Sequence, residues 1–396
     1  AMDVGIGIVD RTFPMGHNDH MYNRNYSAFF DYTADVSTGE PVGDIPRVEG
    51  RGTVTIKNGV IRNGSRGILS WGVQSTANGV RVILDNVRFI TSGINTIAVD
   101  VPHATITNCR FEIESPFIIN RHGAEFYAVD LRGIKTSEVS YSEFYGGQCC
   151  LVFKGRHSII HHNLFVNRQT VTNHYSIMAM GDSSMVFENR FEPEIGSGLE
   201  IFRHKYIEIF NNVFRIKAAP PSCEYHEHYS TVAIRLADYG AEPGHPRGCY
   251  GNRIYNNKFY IRGRKFETYP DYIPMAAAFF YSTSAGENYI FGNEIYLHQD
   301  DPDTDAETYA FFIGGRSLGG QLYNNRITTN VTPFWVASGY GSATGTVMAR
   351  NRITRSVNST TDFSAVRMGW TEREDCVARD IEFRSNEFDG MDFSID

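Results

Sequence analysis

The chain has 396 residues, with 37 Lys and Arg against 45 Asp and Glu, giving a net charge of −8 at pH 7. That balance argues against general nucleic-acid binding, although a local basic groove can sit on an acidic protein. No apolar run approaches membrane-spanning length, and the six cysteines form no CxxC pair and give no zinc spacing.

Residues 1–50 do not repeat and are expected to form an N-terminal cap ahead of a single repetitive domain at residues 51–396. Ala1-Met2 reads as an added remnant with a signal segment lost upstream, so the expected location is secreted or periplasmic. Within the cap, His17-Asn-Asp19-His20 places two imidazoles and a carboxylate close together. It is either a metal cluster or, more simply, a polar loop over open strand edges. GTVTIKNGVI (Gly52–Ile61) opens the regular coiling. Thr96–Phe111, Cys150–Phe165, Ser176–Phe191 and Leu199–Phe214 then overlay without gaps. Each is a short apolar strand, a polar corner and a second strand, usually ending in Asn-x-Phe or Asn-x-Ile. The ending recurs at Asn163, Asn189, Asn212, Asn257, Asn293, Asn325, Asn351 and Asn386, with 26 residues from Asn163 to Asn189 and 23 from Asn189 to Asn212. Such a period, built from strands of four or five residues, predicts an all-β solenoid.

The repeat resembles that of the right-handed parallel β-helix proteins of the pectate-lyase-like superfamily, from about Arg51 to Phe388. The resemblance implies roughly a dozen coils and a carbohydrate-active protein: a polysaccharide lyase, a glycoside hydrolase, an epimerase or a phage tailspike. The physics agrees with the fold, because a buried Asn repeated at one position of each coil can stack into a ladder. Its amide would bond the coils on either side, and the Phe or Ile two residues later would return to the core. Cys109 takes the ladder position of its coil and reads as a packed thiol. Cys223 and Cys249 flank one loop-rich coil and could form a disulfide.

In the gapless overlay, Leu199 and Ile201 point inward, whereas Ile97, Val99, Leu151, Phe153, Ile177, Ala179, Glu200 and Phe202 point outward. The outward face is therefore expected to be apolar until Glu200 interrupts it, and such a strip is usually covered or used by a ligand. Two insertions, Lys217–Tyr229 and Tyr239–Gly248, lengthen the coil after Phe214 and emerge beside Glu200. Arg262–Tyr272 lengthens the next. Long loops on a regular scaffold commonly carry function. The acidic run Gln299–Glu307 reads as a solvated loop, with calcium capture the lesser reading.

His174-Tyr175-Ser176 and His228-Tyr229-Ser230 begin two coils with one tripeptide, so two His-Tyr pairs would stand along one groove wall. The fifth position of the overlay reads Asp100, Lys154, Met180 and Arg203, with Asp130 between Asp100 and Lys154. A lyase acting on a uronic-acid polymer needs cations to neutralise the carboxylate and a base for the C5 proton. His174, Tyr175, Glu200, Arg203, Lys205, His228, Tyr229 and Arg235 are the expected catalytic group, and Asp130, Lys154, Phe202 and Tyr281 the expected substrate contacts. The competing reading makes the His-Tyr pairs turn residues over the core edge, and pairs Glu200 with Arg235 or Arg203 in a salt ladder.

Glu200-Ile-Phe-Arg-His-Lys205 followed by Arg235 is similar to the chondroitinase B and alginate-lyase family. That resemblance implies Glu200 as a calcium ligand, Lys205 as base and Arg235 as carboxylate or proton-transfer partner. No second glutamate lies two residues from Glu200, and histidine and tyrosine would then replace the metal. No metal ligand set is read from the residues, and calcium is the one cofactor the resemblance brings. The expectation is a monomeric lyase cleaving an acidic polysaccharide by β-elimination, with no nucleic-acid or membrane partner. The alternatives are a hydrolase, through Asp100 and Asp130 or through Asp182, Glu200, Glu224 and Glu227, and a non-catalytic glycan-binding tailspike or adhesin.

Overall fold

A computed structural model describes residues 4–9, 51–63, 66–71, 79–91, 97–98, 103–113, 127–131, 136–146, 149–153, 155–166, 175–179, 181–193, 196–218, 230–237, 249–267, 275–281, 286–301, 307–314, 319–337, 343–356, 363–369 and 378–395. The described strands form a twelve-stranded parallel sheet and a 22-stranded parallel array, with a two-stranded pair beside them. The array contains two rows of strands, so a coil such as that of Leu199 contributes Ser197–Phe202 to the first sheet and Glu208–Phe210 and Val213–Lys217 to the array. The expected parallel β-solenoid is the observed fold.

The asparagine ladder closes one corner. Asn189 Oδ1 accepts from the backbone N–H and the Nδ2 of Asn163, both at 3.0 Å, and Asn189 Nδ2 donates to the carbonyls of Ile160 and Phe187 at 2.9 Å. The same step repeats through Asn212, Asn257, Asn293, Asn325, Asn351 and Asn386. Towards the N-terminus it passes to Ser142 and ends at Cys109, whose N–H donates to the Ser142 hydroxyl at 3.0 Å. The residue before each ladder position turns the chain at positive φ: His162, Glu188, Asn211, Asn256, Gly292, Asn324, Arg350 and Ser385. The ladder satisfies buried amides that would otherwise each cost about 1–3 kcal/mol.

Two residues after the ladder position, Phe89, Phe111, Phe144, Phe165, Phe191, Phe214 and Phe259 stack along the core. Neighbouring ring centroids are 4.5–5.1 Å apart. Ile295, Ile327 and Ile353 continue the row and are buried. Offset ring pairs of this kind contribute roughly 0.5–1.5 kcal/mol each beyond area burial.

Strands of the first sheet break simple alternation. Cys150-Leu151, Ala233-Ile234, Ala278-Phe279 and Ala310-Phe311 all enter the main core as consecutive pairs, while Val232, Ala277 and Tyr309 join a separate cluster on the other side. The first member is small because two adjacent residues must share one interior. Gly198 fills that place before Leu199, where an added Cβ would lie 2.5 Å from the Ala233 carbonyl oxygen and 2.9 Å from the Phe214 ring.

This register corrects the expected faces. Leu151, Ile177 and Leu199 are in line, as are Phe153, Ala179 and Ile201, and all six are core residues. Leu151, Phe153, Ile177 and Ala179 therefore point inward. The coil of Leu199 carries one more residue between its first strand and its ladder Asn than the coil of Ile177, with Arg203 at the turn in a left-handed conformation (φ 60°). A gapless overlay absorbs that residue as a one-residue slip, which exchanges the two faces of a strand. Ile97 and Val99 have side chains outside the described residues.

Candidate functional site

Register, rather than sequence spacing, defines the row of cross-strand partners of the first sheet that contains Glu200. It runs Ala98, Asp130, Val152, Met178, Glu200, Arg235, Phe280, Phe312, Trp335, Arg367. Asp130 thus lies opposite Ala98 and Val152, not opposite Asp100 and Lys154.

Glu200 and Arg235 are direct cross-strand partners, with Arg235 Nε 3.8 Å from Glu200 Oε1. Arg235 Nη1 donates to the Tyr175 hydroxyl at 2.6 Å, and the guanidinium carbon lies 5.1 Å from the Phe280 ring centre. Glu200 is 4 % exposed and Tyr175 5 %. A carboxylate this deep is tolerated with a cation facing it, and losing that cation would remove a compensating charge from a buried site. Burial, reinforced by Glu200 and opposed by Arg235, holds the Tyr175 phenol well above the usual tyrosine range, so it is protonated at neutral pH.

A second cluster sits at the corner that follows the same strands. His204 Nδ1 is 2.8 Å from Asp182 Oδ1, which also accepts the Lys205 backbone N–H at 3.1 Å, and Arg156 Nη2 lies 3.7 Å from Asp182 Oδ2. Burial raises the Asp182 pKa, but the hydrogen bonds from His204 and Lys205 and their charges together outweigh it and leave the carboxyl below its ordinary value. Asp182 as the carboxylate accepts a hydrogen bond from Nδ1–H of His204, and whenever the ring is neutral in that tautomer Nε2 is its basic nitrogen. Lys205 Nζ donates to the Tyr250 hydroxyl at 2.9 Å, and the ammonium lies 5.2 Å from the Tyr250 ring centre and 5.8 Å from that of Tyr206. The bond to Tyr250 raises the lysine pKa, so Lys205 is a cation at neutral pH. The His204 and Asp182 side chains are 24 % and 17 % exposed, several times more open than Glu200 or Tyr175.

Cys249 packs beneath this corner. Its thiol donates to the carbonyls of Ile201 and Ala237 at 2.9 and 3.2 Å, and burial pushes its pKa up to about 12. The thiol is free, so the considered link to Cys223, which lies outside the described residues, is not made.

The sequence-derived catalytic group therefore divides. Tyr175, Glu200 and Arg235 come together, as the salt-ladder reading had Glu200 and Arg235, while Lys205 joins Asp182, His204 and Tyr250. Arg203 is exposed, with its guanidinium 4.9 Å from the half-buried Phe202 ring. His174, Lys154, Asp100, His228 and Tyr229 lie outside the described residues, as does His17-Asn-Asp19-His20. For Asp130 and Tyr281 only the strand backbone is described. Asp182 entered the sequence reading only as a possible hydrolytic acid, and His204 and Tyr250 were given no role. The available signal was that Asp182 overlays Lys205, an acid and a cation at one corner of successive coils. Calcium does not fit at Glu200, whose carboxylate faces a guanidinium. No group of three or more His, Cys, Asp and Glu among the described residues is arranged to hold a metal ion. No family model and no curated protein matches the chain.

Proposed function

We propose that the chain is a lyase of the pectate-lyase-like superfamily that cleaves an acidic, uronic-acid-containing polysaccharide by β-elimination outside the cell. The corner cluster supplies the three functions the reaction needs. His204, oriented by Asp182, takes the C5 proton. The electron pair of that C5–H bond becomes the C4=C5 double bond as the C4–O bond breaks. The departing oxygen takes the Tyr250 hydroxyl proton, and Lys205 neutralises both the substrate carboxylate and the phenolate left behind. Water is not consumed, and the protons on His204 and Tyr250 re-equilibrate with solvent afterwards.

The observation that carries this reading is the Lys205–Tyr250 hydrogen bond beside the Asp182-held His204. A base, a cation and a phenol lie at one partly open corner. The raised lysine pKa favours Lys205 as the cation over Lys205 as the base. The Tyr175–Arg235–Glu200 cluster is too buried to meet a polymer, and in this reading it positions the strand that leads into His204.

Ultraviolet absorbance of the unsaturated uronate, followed on alginate, polygalacturonate, chondroitin sulfate and hyaluronate, tests the reaction class. A rise that His204→Ala lowers by about 10²–10⁴-fold supports it. New reducing ends without that absorbance would identify a hydrolase, and no product from any polymer would favour a binding module.

A further inference from the structure

On another face of the solenoid, Arg215, Tyr260 and Tyr296 stand in one cross-strand row, with Lys217, Arg262 and His298 in the row beside it. They line a groove of about 370 Å³ with Glu192 and Pro193 at its edge. The two tyrosine rings stack at 5.1 Å with 8° between planes, and the Arg215 guanidinium carbon lies 4.5 Å from the Tyr260 ring centre. Tyr296 is 40 % exposed, so one ring of the stack faces solvent. Three cations line the groove against one carboxylate, on a chain of net charge −8. Arg215 is partly offset by Glu192 at 3.4 Å, and Arg262 by Asp300 at 2.7 Å. Lys217 is exposed and makes no ion pair with the described residues.

We infer that this groove is a second, non-catalytic binding site for an acidic glycan. The solvent-facing Tyr296 ring, backed by Tyr260, suits a sugar ring, and the bordering ammonium and guanidinium groups select carboxylate- or sulfate-bearing units over neutral ones. A neutral glycan would leave the Lys217 ammonium without a counter-charge and would gain nothing from the partly offset guanidinium groups of Arg215 and Arg262. The inference deepens the lyase reading by giving the same class of polymer a hold away from the reactive corner, but it uses none of the residues that reading assigns.

The test is affinity electrophoresis of the full chain through gels containing alginate, polygalacturonate, chondroitin sulfate or, as the neutral control, dextran. At least one acidic polymer should retard the protein and dextran should not. The His204→Ala variant should be retarded like the wild type, whereas Tyr296→Ala with Lys217→Ala should weaken binding about tenfold. Lys217→Glu, a change at an exposed side chain, should do the same and guards against misfolding of the double variant. Retention equal in wild type and groove variants, retention by dextran, or none by any acidic polymer would overturn the inference. Retention that depends on the groove residues in a chain without lyase activity would uphold it while the lyase reading fell.

Discussion

Arg235 reaches across two coils to donate a 2.6 Å hydrogen bond to the hydroxyl of Tyr175, 60 positions earlier in the chain. The relationship recurs further along the same sheet, where Arg367 donates to Tyr309 at 3.0 Å and pairs with Glu307 at 3.4 Å. In the first case the acid, Glu200, is buried, so its removal and that of its partner should differ. Arg235→Met removes the cation that faces a buried carboxylate and is expected to lower stability by about 3–5 kcal/mol, while Glu200→Met with Arg235→Met should recover much of that loss. Urea denaturation midpoints of the two variants check the ordering. Equal losses would mean that the pair is not the electrostatic unit the 3.8 Å contact suggests.

Asp182 carries a pH prediction. Its folded pKa is lowered, so the native state binds its proton less readily than the unfolded chain does. The contribution to stability is fully present above the unfolded aspartate pKa of about 4 and is lost as pH falls through the lower folded value. Asp182→Asn should therefore be less stable than wild type near neutrality, with the difference shrinking in acid. Thermal melts from neutral pH down to about pH 3 measure it. A gap that widens towards acid would contradict the assigned partnership with His204 and Lys205.

The fold was legible because one side chain recurs at one place in each coil. An Asn that must bond its copies above and below cannot drift in register, and the Phe or Ile that follows inherits its direction. Even Cys109, which breaks the motif, was placed at the ladder. The site was legible only in pieces. Glu200 and Arg235 stand opposite each other as one sequence reading allowed, but the faces around them were inverted by a single extra residue at Arg203. The double-inward pairs, such as Ala233-Ile234, hide from any argument based on strict alternation. Asp182 and His204 meet at a corner, where no periodicity marks which side chains converge.

Glycines test the packing at one of those pairs. Gly198→Ala would drive a methyl against the Ala233 carbonyl and the Phe214 ring, both closer than 3.0 Å. The expected cost is about 1–3 kcal/mol, with a shift of the strand that bears Glu200. Gly59→Ala meets only the Lys57 carbonyl oxygen at 4.0 Å and should change stability by less than ~0.5 kcal/mol. Similar melting temperatures for the two variants would contradict the close approach at Gly198.

The cysteines give a test that needs no substrate. Cys109, Cys150 and Cys249 are buried, and burial raises each thiol, to about 11 for Cys109 and about 12 for Cys249. The thiolate is the reactive form, so these three should resist iodoacetamide at pH 8 in the native protein and react once it is unfolded in urea. The ladder makes the contrast position-dependent. Asn257→Ala removes the acceptor of two Asn212 hydrogen bonds, at 2.9 and 3.0 Å, in the middle of the stack. It should cost about 1–3 kcal/mol and expose Cys249 to alkylation at lower urea than Asn386→Ala, which cuts the part-buried last rung. Peptide mapping of the alkylated chain reads out all three thiols at once. Labelling of Cys249 at equal urea in the two variants would show that the coils do not unfold according to where the ladder is broken.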